Sequence, residues 1–257
     1  MERSSSRINS VEKALKILLA FQRNPPLWGV RDLSAHLGFS PATVQRTLQL
    51  LKTHGFVDQD PETRQYRLGR IYYRFIDALQ SSFPLARAAV PFMKGLNVRT
   101  QETVHLNVIE GNERICIDTL ESSQPLKASM PVGNRSPLYA GASSKCLLAF
   151  SPAEFIRDYL QGVQLVALTS KTIVDPTRLK DELRTTRRRG VAFSLGERTP
   201  GLGSLSAPIL NHNGSLLAAL SLAIPELRYR NKPHREMCLS ALKQLAGELS
   251  KAMGCGA

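Results

Sequence analysis

The sequence predicts an α+β protein in two parts: an N-terminal winged helix-turn-helix, and a C-terminal antiparallel sheet with helices packed on it. Three observations support this fold class. Residues 29–55 have the pattern of two short helices joined by a glycine turn. A short basic hairpin follows at 57–68. From residue 84 onwards, segments with strand-like alternation are interspersed with helical segments, which is typical of an α+β domain.

The helix-turn-helix pattern has clear start and stop signals. Gly38 can adopt the left-handed backbone that ends the first helix. Ser40 is a good N-cap and Pro41 suits the first helical position, so a second helix begins there. Apolar residues recur at core spacing from Val44 to Leu51. The polar residues point elsewhere and can reach bases or phosphates in a major groove. The DNA-binding residues predicted here are Ser40, Thr43, Gln45, Arg46 and Gln49.

Two amphipathic helices also occur in all-α cores, and the following hairpin favours DNA binding over that alternative. Val57 begins a short strand, residues 60–63 form a turn, and residues 66–68 form the returning strand. We interpret this hairpin as a wing whose Arg64 and Arg67 lie along the phosphate backbone. A hairpin with exposed arginines can also be no more than a solvated sheet edge.

The charge of the chain permits a nucleic-acid partner but does not locate its site. The 257 residues carry a net charge of +13, and the isoelectric point is about 10.0. Residues 1–83 hold 12 Lys and Arg against 7 Asp and Glu, and the remainder holds 22 against 14. Because the excess is spread over both parts, only the helix-turn-helix motif points to a DNA-binding site.

The predicted domains are a winged helix-turn-helix domain at residues 1–68, a linker helix at 69–83, and an α+β, sensor-like domain at 84–257. Asn9 and Glu12 can form a capping box that opens a first helix, which stops before Pro25. The predicted strands of the C-terminal part are 103–109, 114–119, 127–130, 191–193, 205–210 and 216–224. The predicted helices there are 85–96, 141–150, 152–160, 176–189 and 232–253.

Several classes of site and location are not favoured by the sequence. No apolar run approaches the roughly 20 residues of a membrane span, and the polar residues 1–7 do not form a signal-peptide core. The four cysteines are far apart and no His-x-x-x-His pair occurs, so we expect reduced thiols, no metal and no cofactor. The expected location is the cytoplasm.

An enzyme is also not favoured. The segment 141–145, Gly-Ala-Ser-Ser-Lys, superficially resembles nucleophile motifs. It departs from G-x-S-x-G at Lys145, from S-x-x-K at Ala142, and from the phosphate-binding loop at Ser144, where a glycine must precede the lysine. We therefore expect no catalytic residues.

The order of the segments resembles the IclR family of bacterial transcriptional regulators over nearly the whole chain. The matching segments are Ser40–Arg46, Gly55–Val57, Glu102–Leu106, Pro131–Ala140, Ser144–Ala149 and Ser206–Ile209. Each is weak alone, and their order and spacing are specific. The resemblance implies a GAF-like C-terminal domain, a homodimer or homotetramer on double-stranded operator DNA, and a small-molecule effector such as a carboxylate or an aromatic metabolite. Such regulators act as repressors or activators.

The same resemblance implies the position of the effector site. The family pocket corresponds here to Ala142, Ser143, Ser194, Leu202, Ser204, Ser221 and Ala223. Ser194 stands where some members that bind small keto acids carry an aspartate, and Ala223 replaces a serine. These departures predict a larger or less polar effector. The alternative is that the small residues 141–144 serve only close helix–sheet packing.

A second functional hypothesis is a sensor that controls a protein partner, in which the N-terminal domain serves dimerisation. The outer face of residues 41–53 is polar, with no predicted apolar stripe, and this favours DNA over a protein partner.

Overall fold

The computed structural model describes residues 9–22, 25–82 and 84–255, with backbone alone at 79–82. The polar segment 1–7 considered above lies outside these residues. The chain divides into two compact units, residues 1–82 and 83–257. Within the described residues, no helix is both long enough and apolar enough to cross a membrane.

Three helices form the body of the N-terminal unit. They are α1 (Ser10–Leu19, continued by a 3-10 turn at Ala20–Gln22), α2 (Val30–Leu37) and α3 (Pro41–Thr53). The predicted caps are present: Asn9 Oδ1 accepts the Glu12 N–H at 2.7 Å, and Ser40 Oγ accepts the Thr43 N–H at 3.3 Å. Gly38 has φ +68° and ends α2. The helices enclose an apolar core.

A two-stranded hairpin, β1 (Val57–Gln59) and β2 (Tyr66–Leu68), packs against this body. Tyr66 is 1% exposed, and its backbone exchanges two hydrogen bonds with Trp28, at 2.8 and 3.0 Å. Asp60 Oδ1 accepts the N–H groups of Glu62 and Thr63 and so closes the turn. These bonds lower the pKa of Asp60. Helix α4 (Ile71–Ser82) follows.

The C-terminal unit is built on one six-stranded antiparallel sheet with the order β5-β4-β3-β8-β7-β6. Its strands are β3 (Thr103–Glu110), β4 (Glu113–Leu120), β5 (Arg135–Pro137), β6 (Ala192–Leu195), β7 (Leu202–Leu210) and β8 (Leu216–Pro225). Its helices are α5 (Pro84–Thr100), α6 (Ala142–Phe150), α7 (Ala153–Gly162), α8 (Pro176–Arg189), α9 (Glu226–Tyr229) and α10 (Lys232–Ala252).

Helices cover both faces of the sheet. Helices α5 and α10 share one apolar core with β3, β7 and β8. Helix α6 packs on the other face of the sheet, within a second apolar core, and α8 packs against α6. Because α6 has neighbours on all sides, residues 142–149 are all buried. The side chains of this helix that face the sheet therefore help to form the interior of the unit.

The structure differs from the sequence prediction at two places. The predicted strand 127–130 is irregular, and the edge strand β5 lies later, at Arg135–Pro137. Pro125 and Pro131 bracket the predicted strand and remove ladder donors on either side. A side-chain bond from Thr103 Oγ1 to the Ala128 carbonyl, 2.7 Å, holds the segment instead. The single-turn helix α9 was not predicted.

Candidate functional site

Helix α3 presents one buried and one exposed face. Val44 and Leu48 are 0% exposed and point into the core. Arg46 and Gln49, three residues apart, share the opposite side and are exposed. Leu50 is also exposed, at 59%, as a single apolar side chain. Isolated apolar side chains are common on protein surfaces, so the exposed face remains predominantly polar.

The other predicted DNA-binding residues of this helix also make bonds within the unit. The Ser40 and Thr43 hydroxyls lie 2.8 Å apart at the helix N-terminus. Gln45 is half-buried, and its Nε2 donates to the Tyr66 hydroxyl at 3.4 Å. This bond joins α3 to the hairpin.

The hairpin arginines occupy different positions. Arg64 lies exposed in the connection between β1 and β2, with φ +60°. Arg67 is exposed on β2 opposite Asp58, and both line a shallow groove together with Lys52 and Arg70, so the groove holds three cations and one carboxylate. Sequence reasoning missed Lys52 and Arg70. Lys52 lies three residues after Gln49 on α3, and that spacing could have identified it.

The predicted effector residues converge on one cavity in the C-terminal unit. The cavity measures about 30 Å³, room for about two water molecules. Six of the seven predicted residues line it: Ala142, Ser143, Ser194, Leu202, Ser204 and Ala223. Ser221 does not. It is 0% exposed, and its hydroxyl lies 2.7 Å from that of Ser206.

The N-terminus of α6 forms one wall of this cavity. Gly141 precedes the helix with φ +94°, a backbone conformation that other residues rarely adopt, and it provides no side-chain cap. Glu197 Oε2 accepts the Gly141 N–H at 3.1 Å. Ala142 and Ser143 line the cavity at the first turn of the helix, where N–H groups lack helical acceptors. This segment thus serves both helix–sheet packing and the cavity wall.

Sequence reasoning missed two arginines in the cavity wall. Arg114 on β4 is 1% exposed, and Arg198 lies in the connection between β6 and β7. Both guanidinium groups donate to the same atom, Asn134 Oδ1, each at 3.1 Å. The residues found to line the cavity include neither Asp nor Glu. The alternation of β4 puts Arg114 on the same face as the buried Cys116, and that signal could have identified it.

A buried histidine completes the polar lining. His105 on β3 is 1% exposed, and its Nδ1 lies 2.9 Å from Asn107 Nδ2. Its Nε2 is buried, and no hydrogen-bond partner for it lies within the part of the chain that the structure describes. Burial, together with the charges of Arg114 and Arg198, lowers the pKa of His105 to about 3. The histidine is therefore neutral near pH 7, and the cavity presents positive charge and hydrogen-bond donors.

Comparisons with known proteins agree with this arrangement. The family described as "IclR helix-turn-helix domain" matches residues 10–61, and "Bacterial transcriptional regulator IclR C-terminal" matches residues 78–251. The regulator XynR of Escherichia coli is 30% identical, over 96% of this chain and 98% of its own. The regulator KdgR of the same organism is 29% identical, over 99% and 96%. The crystal structure of the Thermotoga maritima IclR superposes with a TM-score of 0.83 at 29% identity, covering 96% of this chain and 100% of that one.

A helix-turn-helix unit joined to an α+β unit with a small, polar-lined cavity defines a transcriptional regulator with a C-terminal effector-binding domain. The chain belongs to the IclR family of bacterial transcriptional regulators. The fold class and the family resemblance predicted from the sequence are confirmed. The relatives above are named as regulators.

Proposed function

We propose that the protein binds double-stranded operator DNA as a homodimer or homotetramer. Helix α3 of each protomer enters a major groove, and two such helices read half-sites roughly 34 Å apart. The bases and phosphates nearest α3 are contacted by the polar residues at its start and on its outer face, and the wing contacts phosphate. The proposed DNA-binding residues are Ser40, Thr43, Gln45, Arg46, Gln49, Arg64 and Arg67. We add Lys52 and Arg70 to the proposal because they line the same groove as Arg67.

The observation that supports this proposal is the exposure of Arg46 and Gln49 beside the basic groove of Lys52, Arg67 and Arg70. Among the described residues, no hydrogen bond or ion pair occupies the Arg46 guanidinium. Arginine can pair with guanine and glutamine with adenine, while cations at the groove are suited to phosphate. This arrangement provides base contacts at the helix and phosphate contacts beside it.

We further propose that the cavity binds a small-molecule effector, a carboxylate or an aromatic metabolite. An IclR homolog of Microbacterium hydrocarbonoxydans, crystallised as a complex with 4-hydroxybenzoate, shares this fold with a TM-score of 0.84 at 21% identity.

The proposed organisation is a DNA-binding domain at 1–68, a linker helix at 69–83 and an effector and oligomerisation domain at 84–257. Effector binding shifts the populations of two arrangements about the linker. The proposal includes no catalytic step and no cofactor, and the proposed location is the cytoplasm.

Footprinting of the full chain over the DNA that flanks its own gene tests this function. We expect protection of a pseudo-palindromic site, and its loss in Arg46→Ala. Arg184→Ala removes another exposed arginine, from the surface of α8, and we expect it to leave the footprint unchanged. A chain that controls a protein partner instead would protect no site, or would protect the same DNA with Arg46→Ala.

A further inference from the structure

The cavity holds two cations side by side without a compensating charge. Arg114 and Arg198 donate to the same oxygen of Asn134, a neutral amide, at 3.1 Å each. Among the described residues, no carboxylate lies within ion-pair distance of either guanidinium. The nearby Glu197 is occupied by Lys145, whose Nζ lies 2.6 Å from Glu197 Oε1. Burial and mutual repulsion lower the pKa of Arg114 to about 10, which leaves it charged near pH 7.

The hydrogen-bond network also determines which ring nitrogen of His105 carries the proton. Arg114 Nη1 donates to Asn107 Oδ1 at 3.4 Å, so the other end of that amide, Nδ2, is a donor. Asn107 Nδ2 therefore donates to His105 Nδ1, and the proton of the neutral ring is on Nε2. This Nε2–H is buried, finds no acceptor among residues 9–22, 25–82 and 84–255, and belongs to a residue of the cavity lining.

We propose that the effector is a compact anion whose negative charge lies between Arg114 and Arg198 and accepts the Nε2–H bond of His105. Arg198 then determines specificity for acids over their neutral analogues. This inference rests on the proposed role of the cavity as the effector site. It differs from the expectation of a larger or less polar effector, which considered only Ser194 and Ala223, because the charge of the cavity comes from β4 and the β6–β7 connection.

The chemistry of the donors supports an acid. Buried donors without acceptors are costly, and an anion satisfies them with charge-assisted hydrogen bonds. Arg114 already donates to Ser136 Oγ, to Asn107 Oδ1 and to both the carbonyl and the side chain of Asn134, so it contributes mainly its charge. Arg198 makes one bond among the described residues, to Asn134, and its remaining N–H groups form a planar set suited to a carboxylate. The cavity of about 30 Å³ favours a small molecule, or the carboxylate end of a larger one that enters from the side of Arg198. Arg198 is only partly buried, so solvent reaches this side.

The test compares acids with their amides on the full-length protein at constant ionic strength. The probes are acetate, malonate, succinate and 4-hydroxybenzoate, each paired with its amide, in thermal-shift and calorimetric titrations. We expect at least one acid to raise the melting temperature while its amide does not. Arg198→Gln should weaken the binding of that acid roughly tenfold or more, since a charge-assisted bond is lost. Arg157→Gln, exposed on α7, is the matched control and should bind as the wild type does.

A second measurement separates a binding role from a structural one. With 15N-labelled histidine, we expect the resonances of His105 to report an Nε2-protonated neutral ring, with the Nε2–H proton moving downfield when the acid binds. Without ligand, Arg198→Gln should not lower the melting temperature, because it removes repulsion between like charges.

Stabilisation by no acid of the panel, equal stabilisation by acid and amide, or unchanged binding in Arg198→Gln would each overturn the inference. The footprinting experiment above is independent. If acids bind through Arg198 and no DNA is protected, the proposed function fails while the assignment of the ligand stands.

Discussion

Lys145 and Glu197 form a buried ion pair, 2.6 Å between Nζ and Oε1, that positions the helix bordering the cavity. Lys145 is 1% exposed in the middle of α6 and also contacts Glu182 Oε1 at 3.0 Å. The second oxygen of Glu197 accepts the Gly141 N–H. One carboxylate thus holds both the side chain and the start of α6.

Replacing Lys145 with Met should destabilise the protein by about 3–5 kcal/mol, because it leaves a buried carboxylate without its cation. Urea unfolding followed by far-ultraviolet circular dichroism measures the change. Trp28, the single tryptophan, reports separately on the N-terminal unit by fluorescence. Lys171→Met is the control: this lysine is 50% exposed and 3.9 Å from Glu226, and its loss should cost less than about 1 kcal/mol. Equal effects of the two substitutions would contradict the role given to Lys145.

The free energy of unfolding should depend on pH through His105. The pKa of His105 is about 3 in the folded protein and about 6.5 when unfolded. Below pH 6.5 the unfolded chain therefore binds a proton that the folded chain does not. This histidine makes the free energy of unfolding fall as the pH is lowered from about 6.5 to 3, by at most about 1.4 kcal/mol per unit.

Unfolding measurements between pH 4 and 7 test this slope. His105→Gln removes the titrating group, so its free energy of unfolding should depend less steeply on pH than that of the wild type. His212→Gln, exposed in the β7–β8 turn, should retain the wild-type slope. Parallel curves for wild type and His105→Gln would show that His105 is not held neutral by its surroundings.

Substitutions of Arg46 and Arg67 should distinguish base contacts from phosphate contacts. Arg46→Ala should weaken operator binding by about 1–3 kcal/mol and relax preference at one base position. Arg67→Ala should weaken binding to all sequences similarly, and should reduce the slope of log affinity against log salt by about 1. Gel-shift titrations at several salt concentrations, on operator and scrambled DNA, measure both. Unchanged operator affinity in Arg46→Ala would mean that α3 does not read the DNA.

Local sequence signals predicted the N-terminal unit well. Caps, a glycine C-cap and apolar spacing act within one or two helical turns, so Asn9, Gly38 and Ser40 identify the bounds of α1, α2 and α3. The predicted strand at 127–130 was wrong because its apolar pattern is short, and because the two flanking prolines and the bond from Thr103, 25 residues away, decide its conformation.

The candidate effector site was predicted only in part, for a related reason. The family resemblance placed Ala142 and Ala223 at the cavity, but its polarity depends on residues brought together by long-range strand pairing. His105, Arg114 and Arg198 come from three separate segments, and no local pattern links them. Arg114 and Arg198 are of a residue type that is usually exposed, and they become cavity residues only when the sheet forms.

In the C-terminal unit, the backbone of Gly203 lies in close contact with the Tyr229 side chain. Gly203 lies on β7, directly beneath the Tyr229 ring of α9, and an added Cβ would overlap that ring. Tyr229 is 5% exposed and cannot move without disturbing the core. Gly203→Ala should therefore destabilise the unit by about 1–3 kcal/mol. Gly247→Ala is the matched control on the exposed side of α10. Nothing lies within 4 Å of its added Cβ, so this change should stabilise the helix by about 0.5–1 kcal/mol. Circular-dichroism melting curves of both variants measure these opposite shifts, and a lowered melting temperature in both would indicate that the packing of Tyr229 is not the cause.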